Sequence, residues 1–348
     1  MVEWPSGEAT VCKTVYTGSI PVSTSSSTYS FQRDFPQNSG RISAYCGAMA
    51  PSPTVTVFPP ENDPDTDSTL ERFLPYPVPQ TLNIRAIMVS TIDGASVASS
   101  GTSGELGGPI DTNIFALHRR QTEAVIAGLS TALTEGYGPI EFSAHEIQTR
   151  WHHGLPPTAD LVLTTHQLDD KKLSDILSSP LTTTDDTNDD QSESGDGDKD
   201  SGTHSSEETQ HGGSVIILTD RSASEASTFI KNRTTLRQHG INVDVLDKLD
   251  GTHIRQWLSD RYSVVDCEGG PRFLGSLIAS RAIDEVILTI HPGVQAGNAP
   301  RIAYGTSDGT DEDAKTVTGT PTDGELLAIG YDQNGTVFVR YGLCNKHT

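Results

Sequence analysis

Glu268 follows the apolar run Tyr262-Ser-Val-Val-Asp-Cys267 and precedes Gly269-Gly270-Pro271. This pattern predicts a buried strand that delivers a carboxylate to the rim of the fold, then a glycine turn into a helix over 272–280. The first N–H groups of a helix lack partners within it, and its dipole adds positive potential, so anions are stabilised at that end. A fixed carboxylate beside such a turn suits a ligand that carries both N–H donors and a phosphate. The same arrangement also serves as a purely structural turn that Glu268 caps.

The composition narrows the ligand. The chain has 348 residues, with 24 Lys and Arg against 46 Asp and Glu, for a formal charge of −22. Residues 181–210 hold ten acids and one lysine, a net −9 of that −22, so the rest of the chain is only moderately acidic. Nothing offers a continuous basic track for a nucleic acid, and no apolar run reaches membrane-spanning length. Cys12, Cys46, Cys267 and Cys344 are scattered, with no Cys-x-x-Cys. That spacing fits a cytoplasmic protein and argues against a zinc knuckle or a redox pair.

The elements that position Glu268 come from the remaining patterning. Residues 1–80 are rich in Ser, Thr and Pro and read as a low-complexity, largely disordered tail, pinned near its end where 54–58 alternates like a strand and 70–74 fits a helical turn. An ordered domain is expected over 81–345, interrupted by an acidic disordered insertion at about 181–212. That insertion reads as a tolerated surface loop or as a partner-binding one. Strands are predicted at 84–90, 124–127, 161–165, 215–219, 241–246, 262–267 and 285–290, with helices at 109–121, 222–238 and 254–259. The segments 325–331 and 336–341, joined across Asp332-Gln-Asn-Gly335, form a hairpin. Apolar strands alternating with helices make an α/β fold, a mostly parallel sheet covered on both faces with an antiparallel C-terminal hairpin. Ligands in such sheets bind beyond the carboxyl ends of strands, where the loops after Ser90, Gly128 and Cys267 converge. No strand is followed by Gly-x-Gly-x-x-Gly, so an ordinary Rossmann domain is not expected.

Six motifs occur in order: Met88-Val-Ser-Thr-Ile-Asp-Gly94, Gly108-Pro-x-Asp111 with Arg119, Gly128-x-x-Thr131, Thr134-Glu-Gly-Tyr-Gly-Pro139, Cys267-Glu-Gly-Gly-Pro271, and Ile283-Asp-Glu-Val with Pro292 and Gly297. Residues 84–341, which carry them, resemble the reductase domain of riboflavin biosynthesis in the stand-alone form of high-GC Gram-positive bacteria. The resemblance implies a dihydrofolate reductase-like three-layer fold, a homodimer, NADPH as hydride donor, and a phosphorylated pyrimidine substrate. The implied reaction reduces the ribosyl group of 5-amino-6-(5-phosphoribosylamino)uracil to the ribityl form. The first 80 residues hold no His and no Pro-Cys-x-x-Cys, so no zinc deaminase site, and no metal, is expected.

The resemblance places substrate contacts on Ser103, Arg119 and Glu268, with Glu268 the residue tied to catalysis. It places nucleotide contacts on Val89, Thr131, Glu135 and the run Gly270, Pro271, Arg272, Phe273, Leu274, Gly275 and Ser276. Glu268 suits paired hydrogen bonds from pyrimidine N–H groups. Arg119 offers a planar donor fork to phosphate or ribose oxygens, or else pairs with Glu123 on the helix surface. Thr131 either donates its hydroxyl to the cofactor or caps a turn. Asp93 reads as a structural turn residue. The chain departs from the resembled pattern at Glu105, Gly107, Glu123 and Leu133, which puts the exact substrate in question. A pterin or folate reductase, or a non-catalytic nucleotide-binding paralogue, remain as alternatives.

Overall fold

The computed structural model describes residues 53–60, 63, 65–78, 81–182, 212–305 and 322–343. Residues 1–52 of the expected tail and 183–211 of the expected insertion lie outside the described residues.

Runs that are apolar on both faces, such as Ala124–Gly128 and Val264–Cys267, sit at the centre of one ten-stranded sheet. Its strands are β1 (Thr54–Val57), β2 (Asn83–Thr91), β3 (Ala124–Gly128), β4 (Asp160–Thr164), β5 (Val215–Asp220), β6 (Ile241–Leu246), β7 (Val264–Cys267), β8 (Glu285–His291), β9 (Gly324–Tyr331) and β10 (Val337–Leu343). The spatial order is β1-β9-β10-β8-β2-β7-β3-β4-β5-β6. Strand β10 runs antiparallel to β8 and β9, and the remaining neighbours are parallel.

The α-helices among the described residues are α1 (Thr66–Phe73), α2 (Pro109–Arg120), α3 (Leu129–Glu135), α4 (Ala144–His152), α5 (Asp170–Leu177), α6 (Arg221–Ser224), α7 (Phe229–Gln238), α8 (Gly251–Ser259) and α9 (Pro271–Ala279). Successive side chains of a strand point to opposite faces. Accordingly, Val125 and Ala127 of β3 join a core with α3, α5 and α7, while Ala124 and Ile126 join another with α8 and α9. Helices thus cover both faces of the sheet, the three-layer, mostly parallel arrangement with an antiparallel hairpin that the sequence predicts. No helix among the described residues is long and apolar enough to cross a membrane.

Three local readings need correction. Residues 54–74, assigned to the tail, are part of the fold: β1 pairs in parallel with β9, and Phe58, Leu70, Phe73 and Leu74 are buried. Phe58, Phe73 and Phe338 meet edge to face, with ring centroids 5.1–6.4 Å apart. The helix expected over 222–238 is two, α6 and α7. Helices α4 and α5 were not foreseen, although Ser143 and Glu146 form a reciprocal capping box at the start of α4 and Asp169 caps α5.

One polar seam fastens α2 to β7. The Asp266 carboxylate accepts from Arg85 Nε and Nη2 at 3.1 and 2.9 Å, and its other oxygen lies 2.6 Å from His118 Nδ1. Gln121 Oε1 accepts from Arg85 at 2.9 Å, and its amide donates to the Leu74 carbonyl at 2.8 Å, tying α1 into the same seam. At the end of α2, Arg150 donates to the carbonyls of Arg120 and Thr122 at 3.0 and 2.8 Å, supplying charge and donors where the helix carbonyls lack partners. Burial pushes the Arg150 guanidinium down to about 10. Burial also lowers His118 below its ordinary value and outweighs the Asp266 carboxylate, which acts to raise it.

Two outcomes are expected. Phe73→Ala should cost about 3–5 kcal/mol of stability in denaturant unfolding, the range for losing a buried aromatic ring, whereas a tail residue would cost almost nothing. His118 should make stability fall as pH drops below about 6.5, because the unfolded chain takes up a proton that the folded imidazole resists. His118→Gln should flatten that dependence when urea midpoints are measured across pH.

Candidate functional site

The seam brings two acid–base pairs side by side, His118 with Asp266 and Arg119 with Glu268. Asp266 and Glu268 are alternate residues and face the same side of the sheet, while His118 and Arg119 are adjacent on α2. Beyond the His118–Asp266 contact, Arg119 grips Glu268 through both carboxylate oxygens, Nε to Oε1 and Nη2 to Oε2, each at 2.6 Å. The Glu268 side chain is 1 % exposed and that of Arg119 28 %, so the pair has one open side. Burial works against the Arg119 charge, and Glu268 more than offsets it, holding the guanidinium above its ordinary range.

Aromatic rings wall the pair. The Arg119 guanidinium lies 4.6 Å from the Phe115 centroid and 5.1 Å from that of Tyr137. Tyr137 also donates its hydroxyl to Glu268, and burial together with that carboxylate raises its phenol far above the usual value. Phe115 and Tyr137 were not foreseen as site residues. Tyr137 stands inside the quoted Glu-Gly-Tyr-Gly-Pro motif, and Phe115 one helical turn before Arg119, so both had a signal.

The turn after Glu268 is set by two left-handed glycines, Gly269 at φ 89° and Gly270 at φ 88°. A Cβ on Gly269 would come within 2.6 Å of Met88, and one on Gly270 within 2.8 Å of Thr131 Oγ1. The Gly269 carbonyl accepts from Gly128 N at 3.0 Å, closing the loop after β3 against this turn. Helix α9 starts immediately, and its first helical bond runs from Leu274 N to the Gly270 carbonyl at 2.8 Å. The N–H groups of Arg272 and Phe273 therefore precede the helical ladder, with the exposed Arg272 side chain adding charge. A glycine bend that side chains would fill, backed by leading N–H groups and one arginine, fits the anionic part of a nucleotide.

The predicted residues do not all reach this place. Glu268, Arg119, Gly270, Pro271, Arg272, Phe273 and Thr131 surround the carboxylate and the turn. Val89 is half-buried in β2, in register with Thr289 of β8. Ser103 and Glu135 are joined to each other, the Glu135 carboxylate accepting from Ser103 N and Oγ at 3.4 and 3.3 Å. Leu274 and Gly275 are packing positions. Leu274 is buried in the core with α8, and a Cβ on Gly275 would lie 1.6 Å from the Tyr304 carbonyl oxygen. Ser276 is half-buried, and its carbonyl accepts from Ser280.

Other sequence readings are resolved as well. Arg119 does not pair with Glu123, whose carboxylate accepts instead from the backbone N–H groups of Ser263 and Val264. Thr131 sits inside α3 and caps no helix start, since Gly128 holds that position. Asp93 accepts from Thr91 Oγ1 and from the N–H groups of Gln295 and Ala296, so it fastens a distant loop as well as its own turn. Leu133 packs against the core around β3 and β4.

Comparisons with known proteins place the chain in a family. The profile of the RibD C-terminal domain matches residues 83–317. A pyrimidine reductase-like protein from Corynebacterium diphtheriae is similar in structure at a TM-score of 0.58 and 19% identity, over 80% of this chain and 99% of that one. Acinetobacter baumannii RibD gives 0.48 and 14%, over 76% of this chain and 58% of its own. A riboflavin biosynthesis reductase from Saccharomyces cerevisiae gives 0.44 and 11%, over 80% and 100%. A search of the curated proteins finds no match. The profile covers well over half of the chain, Glu268 and its turn included, and the chain belongs to the RibD C-terminal domain family, the pyrimidine reductases of riboflavin biosynthesis.

Proposed function

We propose that this protein is a cytoplasmic, NADPH-dependent reductase that converts the ribosyl group of 5-amino-6-(5-phosphoribosylamino)uracil to the ribityl chain. The observation that carries this reading is the buried Glu268 carboxylate, oriented by Arg119 and Tyr137 and set directly before the Gly269-Gly270 turn. A pyrimidine has N–H donors that match a fixed carboxylate, and charge-assisted bonds of this kind are about twice as strong as neutral ones. The donor fork of Arg119 is already spent on Glu268, so its main task is to hold that carboxylate at one angle.

The Gly270 turn with the N–H groups of Arg272 and Phe273 is the part of the chain suited to the nucleotide's phosphates. When bound, NADPH supplies the hydride. The chain's own contribution is positioning: Glu268 fixes the pyrimidine, Phe115 and Tyr137 wall the slot, and water is kept from a carboxylate that is itself almost fully buried. Nothing in this scheme requires a covalent intermediate with the protein.

Glu268→Gln keeps the shape of the side chain but removes its charge. It should lower kcat/KM for the pyrimidine roughly 10- to 100-fold, the worth of a charge-assisted hydrogen bond, with NADPH affinity little changed. Anaerobic assays of NADPH oxidation check this, and a folded wild type that binds NADPH without oxidising it would sink the substrate assignment.

We also propose a homodimer. In register across β1, β9 and β10, the rows Val55–Ile329–Val339 and Val57–Tyr331–Val337 form an apolar sheet face. Val55 is 69 %, Val57 56 % and Tyr331 48 % exposed in the single chain. Such a contiguous apolar face supports coverage by a second copy. Val57→Asp should shift sedimentation from dimer to monomer, and a wild type that sediments as a monomer would refute the assembly.

A further inference from the structure

Asp111, in the first turn of α2, has no part in the scheme above. Its Oδ1 accepts from the Thr289 hydroxyl at 2.5 Å. Its Oδ2 occupies space that a side chain at position 107 would need, since a Cβ on Gly107 would lie 2.4 Å from it. Thr289 is in register with Val89 near the carboxyl ends of β8 and β2. Asp111, Phe115 and Arg119 are spaced four residues apart and so share one face of α2. At 1.5 Å per residue that face spans about 12 Å, from the Arg119–Glu268 pair past the Phe115 ring to Asp111.

The charged or titratable groups of the adjoining elements are Arg85 on β2, Glu285 and His291 on β8, Glu105 in the turn over Gly104–Leu106, Asp67, Glu71 and Arg72 on α1, and His118, Arg119 and Arg120 on α2 itself. None of them enters its balance: burial raises the carboxyl's pKa, the Thr289 bond lowers it, and burial prevails. Asp111 therefore keeps its proton to higher pH than an ordinary aspartate.

We propose that Asp111 is the proton donor of the reduction, in contact with the sugar-ring oxygen while Glu268 holds the pyrimidine. This rests on the reaction proposed above. The hydride from the reduced nicotinamide adds to C1′ of the ribosylamine. The C1′–O4′ bond breaks with its electron pair on O4′, and that oxygen takes the Asp111 proton. The nicotinamide is oxidised by two electrons, the sugar carbon is reduced by two, and the Asp111 carboxylate regains a proton from water. The spacing along α2 suits the task, because the sugar lies beyond the pyrimidine on the side away from Glu268.

The test measures single-turnover hydride transfer with NADPH and 5-amino-6-(5-phosphoribosylamino)uracil across pH in wild type, Asp111→Asn and Thr289→Val, with NADPH affinity measured beside it. The wild-type rate should fall as pH rises through the Asp111 titration. Asp111→Asn should be slower by about 100-fold or more, within the usual range for a lost general acid, with NADPH affinity unchanged and the alkaline fall gone. Thr289→Val removes the bond that lowers the carboxyl's pKa, so its alkaline fall should move to higher pH. A merely structural role for Asp111 would not produce that shift. Transfer by Asp111→Asn within threefold of wild type, or an alkaline fall that persists unchanged in it, would overturn the assignment while leaving the reductase intact. No transfer by folded wild type would overturn the reaction itself, and the proton donor with it.

Discussion

The structure depends on the seam where α2 meets β7. Two consecutive residues of the helix, His118 and Arg119, engage Asp266 and Glu268, two alternate residues at the end of the strand. Asp266 is fully buried and is balanced by Arg85, itself buried and held by Gln121. Removing one partner from such a group leaves an uncompensated charge, typically costing 3–5 kcal/mol. The inner pair therefore fixes the register of α2 on the sheet, and that register delivers Arg119 to Glu268. Arg150 secures the same helix from outside by satisfying its last carbonyls.

That division of labour clarifies what the site offers a ligand. A carboxylate as buried as Glu268 needs compensation, and Arg119 provides it without closing the site, because part of the guanidinium remains exposed. Phe115 and Tyr137 restrict the arginine to one plane and present flat apolar walls, which a planar heterocycle matches better than a flexible chain does. The Gly269-Gly270 bend then places the free N–H groups of α9 next to the carboxylate. A carboxylate beside leading N–H groups is what the proposed reduction, which joins a pyrimidine to a nucleotide cofactor, would use.

Much of this was legible in the sequence, and the rest was hidden for physical reasons. The parallel strands were visible because both faces are buried, which makes continuous apolar runs at 124–127 and 215–219. The final hairpin was visible from its alternation and the Asn-Gly in its turn. Strand β1 was legible from its alternation, but its place in the sheet was hidden, because only some of its residues face the core and the partner strand β9 lies far away in sequence. Arg119 and Glu268 were each singled out, but their mutual bond was not, since 149 residues separate them and no local pattern encodes a tertiary pair. Asp266 was hidden inside an apolar strand pattern, its burial compensated by Arg85, far away in sequence. Within the run from Gly270 to Ser276 that the resemblance places at the nucleotide, a helix turns its residues through 100° steps, so the Leu274 side chain faces the core and Gly275 lies against the Tyr304 backbone.

The most direct test of the central claim follows the hydride itself. The protein would be incubated anaerobically with NADPH deuterated at nicotinamide C4 and 5-amino-6-(5-phosphoribosylamino)uracil, and the product examined by NMR and mass spectrometry. The account predicts one deuterium at C1′ of a ribityl product, with transfer strongly reduced in Glu268→Gln. Product without deuterium at C1′, or equal transfer in the variant, would contradict it.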